Sequence, residues 1–100
     1  MISFNQIDWA IQHHETIQIQ YKGEWCEVEP YALGEDKKNH SVLSAWFLSG
    51  FSESGKGPGW RLYHLCDISQ ARATGNKFTP ARPGYKPDGG AVLHSIRRAI

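Results

Sequence analysis

The alternation of hydrophobic and polar residues over residues 16–21 predicts a half-buried β-strand, with two isoleucines and a tyrosine on one face. Residues 22–24 are typical of a hairpin turn, and residues 25–29 of the returning strand. Pro30 has no amide hydrogen to donate to a strand ladder, so it is expected to end that strand. The first third of the chain therefore predicts a β-hairpin.

The pattern continues as strands separated by loops. Residues 33–39 predict an exposed loop because they contain four consecutive charges, and residues 41–51 predict a central strand because they are apolar, β-branched and aromatic. Residues 52–59 have the glycine- and serine-rich composition of a flexible loop, and residues 60–66 resume as a strand. Residues 69–78 are ambiguous and compatible with a last strand.

Helical spacing is restricted to the two ends of the chain. Ser3 and Gln6 have the spacing of a capping box, and the apolar residues that follow predict a helix from Phe4 to His14. Residues 79–90 contain three prolines and three glycines and are expected to be irregular. The apolar positions of residues 92–100, with two arginines in the last turn, predict a short C-terminal helix.

The length of 100 residues allows one domain. We expect a helical segment over residues 1–14, a β-barrel over residues 15–80, and a loop with the closing helix over residues 81–100. The predicted fold class is mainly β (α+β), with a small antiparallel sheet of about five strands that curls into a barrel because closure removes exposed strand edges.

Composition and the N-terminal residues narrow the class of protein. The chain is 40% hydrophobic and 21% charged, which is ordinary for a folded globular protein and unlike a disordered or coiled-coil chain. No apolar run approaches the roughly 18 to 20 residues of a membrane span, and residues 1–6 lack the basic start and apolar stretch of a signal peptide. The sequence therefore predicts a cytoplasmic protein without a membrane partner.

The net charge of +1 conceals an asymmetry between the two halves of the chain. Residues 1–50 contain three Lys/Arg against seven Asp/Glu, a net charge of −4, whereas residues 51–100 contain eight against three, a net charge of +5. Two interpretations remain open. The second half forms a basic face that favours a phosphate-bearing ligand, or the two halves interleave in the fold and neutralise each other.

The sequence contains no catalytic or metal-binding signature. Residues 54–59 lack the spacing of a Walker loop, and neither a GxSxG nor an HExxH motif occurs. Cys26 and Cys66 are too few and too far apart for a paired zinc-binding motif, and the five histidines have no ligand spacing. The sequence therefore predicts a non-enzymatic protein without a cofactor or a metal site.

Several short motifs resemble the WYL domain family. In that family a strand ending in Tyr is followed by a segment closing on a Pro, by a strand carrying Trp-Tyr-Leu, and by a strand that begins Trp-Arg and continues to an Ile. The similar residues here are Tyr21, Pro30, Trp46-Phe47-Leu48, Trp60-Arg61 and Ile68, with a later Phe78. The resemblance covers residues 15–80. Phe47 replaces the middle Tyr, and Asp67 stands where family members often carry a second Arg.

The resemblance implies an SH3-like or Sm-like β-barrel that senses single-stranded nucleic acid or nucleotide-type ligands, in transcription regulators and in accessory proteins of phage defence. The family's basic and aromatic pocket residues correspond to Tyr21, Arg61 and His64. WYL regulators usually carry a winged helix-turn-helix before the barrel, and the residues that precede the first strand here are too few to form one. We therefore expect a stand-alone regulatory module of bacterial type.

The side-chain chemistry of the second half favours the same function independently. Single-stranded nucleic acid is held by cations on its phosphates and by aromatic rings stacked on its bases. Arg61 shares strand parity with Tyr63, so an inward cation there requires an anionic partner, either a ligand or a buried carboxylate. The candidate ligand-binding residues are Arg61, Tyr21, His64, Lys56, Trp60, Arg72 and Arg82.

The alternative function is a protein-interaction or homo-oligomerisation module that does not bind nucleic acid. In that case the open edge of the barrel or the C-terminal helix forms the interface, and Arg61 is paired internally.

Overall fold

The computed structural model describes residues 4–52, 55–86 and 93–100. Its elements are α1 (Phe4–His13), β1 (Glu15–Tyr21), β2 (Glu24–Glu35), β3 (Ser41–Gly50), β4 (Gly59–His64), a 3-10 turn (Leu65–Asp67), β5 (Ile68–Lys77) and β6 (Ser95–Ala99). Ser3, the predicted cap of α1, lies outside the described residues. Within the described ranges, no helix has the length and hydropathy needed to cross a membrane.

The strands form one antiparallel sheet in the order β4-β3-β2-β1-β5, and β6 pairs with β2. The outermost strands β4 and β5 are joined by only the three residues of the 3-10 turn, so the sheet has to curl until they approach each other. The amide of Lys22, in the β1–β2 turn, donates to the carbonyl of Asp67 in the 3-10 turn at 2.9 Å, which holds this curl. The predicted fold class, a small barrel-like antiparallel sheet with an N-terminal helix, is confirmed, and residues 69–78 do supply a strand.

The inner face of the curled sheet and α1 enclose the main hydrophobic core. Ile17 and Ile19 of β1 lie on this face, as their alternation predicts, and Ile7 and Ile11 of α1 pack against it. Each of these four side chains is at most 2% exposed, and burying an aliphatic side chain of this size contributes about 1.5–3 kcal/mol. The helix is therefore held on the barrel by one apolar stripe.

Pro30 does not end β2, in contrast to the prediction. β2 pairs with β1 as far as Val28 and with β6 from Ala32 onwards. Its register with β3 shifts between Pro30 and Ala32, so the proline occupies a bulge in the gap between two partner strands, where a missing amide hydrogen breaks no ladder. The prediction of a loop from residue 33 is wrong for the same reason, because β2 continues to Glu35.

Residues 95–99 form strand β6 and not part of the predicted C-terminal helix. The buried residues 32–34 of β2 need backbone hydrogen-bond partners along the edge that β1 has left, and β6 supplies them. In this strand Arg97 pairs with Glu35 of β2 at 2.8 Å, whereas Arg98 pairs with Asp8 of α1 at 2.7 Å. The long-range pairing outweighs the helical spacing of the apolar residues.

An aromatic cluster covers the outer face of the sheet. Tyr31 of β2, only 1% exposed, lies at its centre, and the ring centroids of Trp60, Phe78 and Tyr85 are 4.8, 5.2 and 5.2 Å from its own. Such ring pairs contribute about 0.5–1.5 kcal/mol each beyond their burial. The cluster therefore fastens the irregular segment after β5 to the sheet.

A buried carboxylate anchors the same segment. Glu29, 5% exposed, accepts hydrogen bonds from Nε and Nη2 of Arg82, both at 2.9 Å, and one from the hydroxyl of Tyr31 at 3.2 Å. The hydrogen bond to Glu29 raises the pKa of Arg82. Burial, together with the charge of Glu29, raises the pKa of Tyr31 to about 12.

We predict that Gly34→Ala displaces β6. A Cβ at this position would overlap the carbonyl oxygen of Ser95, a backbone atom that cannot rotate away. We expect the free energy of unfolding to fall by about 1–3 kcal/mol and the amides of β6 to exchange faster with deuterium. Gly57→Ala is the control, because a Cβ there meets nothing within 4 Å. Equal losses in the two variants would contradict the prediction.

Arg82→Met is expected to lower the free energy of unfolding by about 1–3 kcal/mol, because it leaves the buried carboxylate of Glu29 without its charged partner. Urea unfolding measures the loss. The control is Arg97→Met, whose side chain is 55% exposed and whose ion pair is expected to contribute at most about 1 kcal/mol. Glu29→Gln in the Arg82→Met background should recover part of the loss. Similar losses of unfolding free energy in the two arginine variants would contradict the role of Arg82 as the charged partner of the buried Glu29.

The stability of the protein is expected to fall between pH 10 and about pH 12, because the pKa of Tyr31 rises from 10 to about 12 on folding. The folded state therefore holds the phenolic proton more tightly than the unfolded state. This stabilisation is complete below pH 10 and is lost as the pH rises through the folded pKa. Tyr31→Phe should make the alkaline fall in melting temperature shallower, and a fall identical to that of the wild type would count against this source.

Candidate functional site

Three register pairs define one end of the barrel. They are Tyr21 with Glu24, Cys26 with Gly50, and Phe47 with Gly59. Because β1 and β3 end where β2 and β4 begin, the β1–β2 turn and the β3–β4 loop lie at the same end, which we call the turn end. Of the predicted binding residues, Tyr21, Lys56 and Arg61 belong to the turn end.

Arg61 is held by backbone carbonyl groups. Its Nη2 donates to the carbonyl of Gly57 at 2.7 Å and to that of Lys56 at 3.5 Å, and its Nη1 donates to the carbonyl of Trp60 at 2.9 Å. The guanidinium also lies 5.4 Å from the ring centroid of Phe47. The sequence left open a buried carboxylate as the partner of Arg61, and none of these groups is a carboxylate. Among the described residues, Arg61 therefore holds the β3–β4 loop through neutral carbonyl groups and an aromatic ring.

Tyr21 contributes to a row of polar aromatic and thiol groups beside Arg61. Its ring contacts that of Tyr63 edge to face at 4.9 Å, and the ammonium group of Lys22 lies 5.4 Å from the Tyr21 centroid. Burial, and after it the adjacent Cys26, raises the pKa of Tyr63, and burial raises the pKa of the Cys26 thiol. Both groups are therefore neutral at physiological pH and supply no negative charge to Arg61.

Arg72 lies on the outer face of β5, opposite Gln18 of β1. Its guanidinium is 4.3 Å from the ring centroid of Trp25, and its Nε donates to the side-chain oxygen of Gln18 at 2.7 Å. Trp25 connects this pair to the turn end, because its carbonyl accepts the amide of Phe51, the first residue after β3, at 3.0 Å. An exposed cation and a partly exposed ring thus stand side by side, as single-stranded nucleic acid requires.

Trp60 and Arg82 take part in the outer aromatic cluster. Nε1 of Trp60 donates to the carbonyl of Pro83 at 2.6 Å, and Arg82 is paired with Glu29. Their polar atoms therefore hold the segment after β5 on the sheet. Sequence reasoning did not single out Glu29, although an acid at an alternating position in a strand was a usable signal.

The two halves of the chain do interleave. Four cations of the second half pair with acids of the first: Arg98 with Asp8, Lys77 with Glu15, Arg82 with Glu29, and Arg97 with Glu35. This pairing accounts for much of the charge asymmetry. In the described part of the chain, the partners of Arg61 and Arg72 are neutral, so uncompensated guanidinium charge remains at these two residues.

His64 lies far along β4 from Arg61, beside the loop between β2 and β3. Its ring centroid is 5.4 Å from that of His40, and the potential ligand atoms of Asp36, His40 and His64 lie within 4.8 Å of one another. Sequence analysis predicts no such cluster, because it combines a loop with a distant strand. One sequence feature could have indicated part of this cluster: Asp36 and His40 are four residues apart. In the structure the amide of Asp36 donates to the carbonyl of His40 and closes the turn between them.

A cleft of about 310 Å³ separates α1 from β5. Its walls are mainly apolar and include Ala71, Ala73 and Trp9, whose side chain is 43% exposed. Among the described strands, β5 pairs only with β1, so its other edge is open. An apolar cleft beside an open strand edge is a surface that a protein-interaction module would use.

Comparison of the chain with family models, with curated proteins and with solved structures finds no match. The resemblance to the WYL domain family therefore depends on the motif residues alone, and the function has to be argued from the geometry of the turn end and its surroundings.

Proposed function

We propose that this chain is a non-enzymatic, WYL-like ligand-sensing module that binds single-stranded nucleic acid or a nucleotide-type phosphate ligand in a regulatory or accessory role. The observation that carries the proposal is which arginines are ion-paired with described residues and which are not. Arg82, Arg97 and Arg98 are ion-paired, whereas the described partners of Arg61 and Arg72 are neutral. A phosphate group supplies the negative charge that these partners lack.

Aromatic rings beside Arg72 and elsewhere at the turn end support a ligand that also carries bases. Trp25 lies under Arg72, and Phe51, 37% exposed, follows β3 at the turn end. Tyr21 adds a partly exposed ring there. Stacking of a base on such a ring contributes about 1–3 kcal/mol and depends little on base identity, which suits a sensor of single strands.

Lys56 extends the cationic surface along the β3–β4 loop. Its side chain is exposed, and its carbonyl is one of the groups that Arg61 holds. A ligand that contacts Arg61 is therefore within reach of this loop. The proposal assigns direct contacts to Arg61, Arg72, Lys56 and Tyr21, and it treats Trp60 and Arg82 as supports of the neighbouring surface.

The alternative proposal is a protein-interaction module. It is favoured by one observation, the apolar cleft between α1 and the open edge of β5. The sequence also suggested a C-terminal helix as the interface. Residues 95–99 form strand β6 and pair with β2, so they do not provide such a helix. An interface on this side would bury Trp9 and leave the turn end exposed.

We predict that labelled single-stranded DNA or RNA binds the protein with an affinity that falls steeply between about 50 mM and 200 mM salt, as measured by fluorescence anisotropy. Arg72→Ala should weaken binding several-fold and reduce the salt slope by about one, because it removes one phosphate contact. Arg61→Ala should act in the same direction. The binding affinity of each variant is compared with that of the wild type only where their melting temperatures agree.

Arg97→Ala is the matched control, because it removes an exposed arginine that is already paired with Glu35. It should bind as the wild type does. Absence of salt-sensitive binding by the folded wild-type protein, or equal losses in Arg72→Ala and Arg97→Ala, would exclude the proposal. If binding is absent and the sedimentation mass rises with protein concentration, the interaction module becomes the better account.

A further inference from the structure

The loop between β2 and β3 and the end of β4 bring a carboxylate and two imidazoles together. We infer that Asp36, His40 and His64 form a binding site for a divalent transition-metal ion of the zinc class. Their potential ligand atoms lie within 4.8 Å of one another. The site is separate from the turn end, and the inference does not depend on the proposed function.

Asp36 is oriented by the backbone of its own loop. Its Oδ1 accepts the amides of Lys38 and His40, each at 2.9 Å. Its Oδ2 lies 3.4 Å from Nδ1 of His40. The amide hydrogen bonds, that of His40 first, also keep the pKa of Asp36 below its ordinary value. One carboxylate oxygen is therefore occupied by the loop, and the other faces the imidazole in ionised form.

His64 is placed by a different element. It is the last residue of β4, and its backbone is paired with Val42 of β3. The ring meets that of His40 at an interplanar angle of 62° with centroids 5.4 Å apart. Because one histidine is fixed by a strand and the other by a closed loop, the two rings are held near each other without direct stacking.

The distances suit a small ion with nitrogen and oxygen ligands. Bonds of about 2.0–2.1 Å in tetrahedral geometry place two ligand atoms about 3.4 Å apart, which is the separation of Asp36 Oδ2 and His40 Nδ1. The other ligand atoms are at most 4.8 Å apart, so they have to approach by up to about 1.4 Å, a movement within the reach of side-chain rotation of His64, to complete a three-ligand set. Two imidazoles with one carboxylate favour zinc-like ions over calcium or magnesium, which prefer oxygen ligands. The fourth position is left to water or to a further ligand.

The test is calorimetric titration of the full chain, without a polyhistidine tag, with Zn²⁺, together with the visible absorption of bound Co²⁺. We expect one ion per chain. His40→Ala and His64→Ala should each weaken binding at least tenfold, since even partners outside the ligand set change metal affinity by about 10–100-fold. Asp36→Asn should also weaken binding while keeping the oxygen that accepts the two loop amides, so it separates the ligand role from the loop's stability.

Two control variants test whether Zn²⁺ binds through other exposed ligands. His13→Ala removes an exposed histidine on α1, and Cys66→Ser removes an exposed thiol two residues after His64. Both should bind Zn²⁺ as the wild type does, and a fixed Zn²⁺ concentration should raise the melting temperature of both by more than that of His40→Ala. Absence of Zn²⁺ binding by the folded wild type, full affinity in His40→Ala and Asp36→Asn, or loss of binding in Cys66→Ser alone would each overturn the inference.

Discussion

Strand β2 has to satisfy its backbone hydrogen bonds along both edges over twelve residues, and the rest of the fold is arranged around that requirement. β3 covers one edge, while β1 and β6 share the other on either side of the bulge at Pro30. Gly34 permits the close approach of β6, because a side chain there would overlap the backbone of that strand. Glu29 and Tyr31 lie on the outer face of the curled sheet, where the segment containing Arg82 covers them.

This arrangement separates the arginines by role. Three of them neutralise acids of the first half of the chain and so hold α1, β2 and the covering segment together. The other two are oriented by carbonyl oxygens, an amide side chain and aromatic rings, none of which carries a full negative charge. A guanidinium held in this way is preorganised without being neutralised, so a phosphate ligand does not have to displace an existing carboxylate partner.

Hydrophobic patterns in the sequence predicted those elements whose formation depends on residues close together in the chain. The alternation of residues 16–21 and the spacing of apolar residues in α1 were sufficient for the first hairpin and the helix, because each element buries its own apolar face. The failures at Pro30 and at residues 95–99 have one cause: the partner strand lies far away in the sequence, and neither strand parity nor helical spacing reveals it. The cluster of Asp36, His40 and His64 escaped prediction for the same reason, since β4 reaches the loop only through its pairing with β3.

β4 connects the two candidate sites and also keeps them chemically distinct. Strand alternation places Arg61 and His64 on opposite faces of β4, and two residues of extended chain lie between them. The turn end offers cations and rings, which suit the extended anion that we propose there, whereas the other end offers imidazoles and a carboxylate, which suit a compact cation. Because the two sites share no side chain, substituting a side chain at one end leaves the side chains of the other end in place, so the two sites can be tested by separate variants.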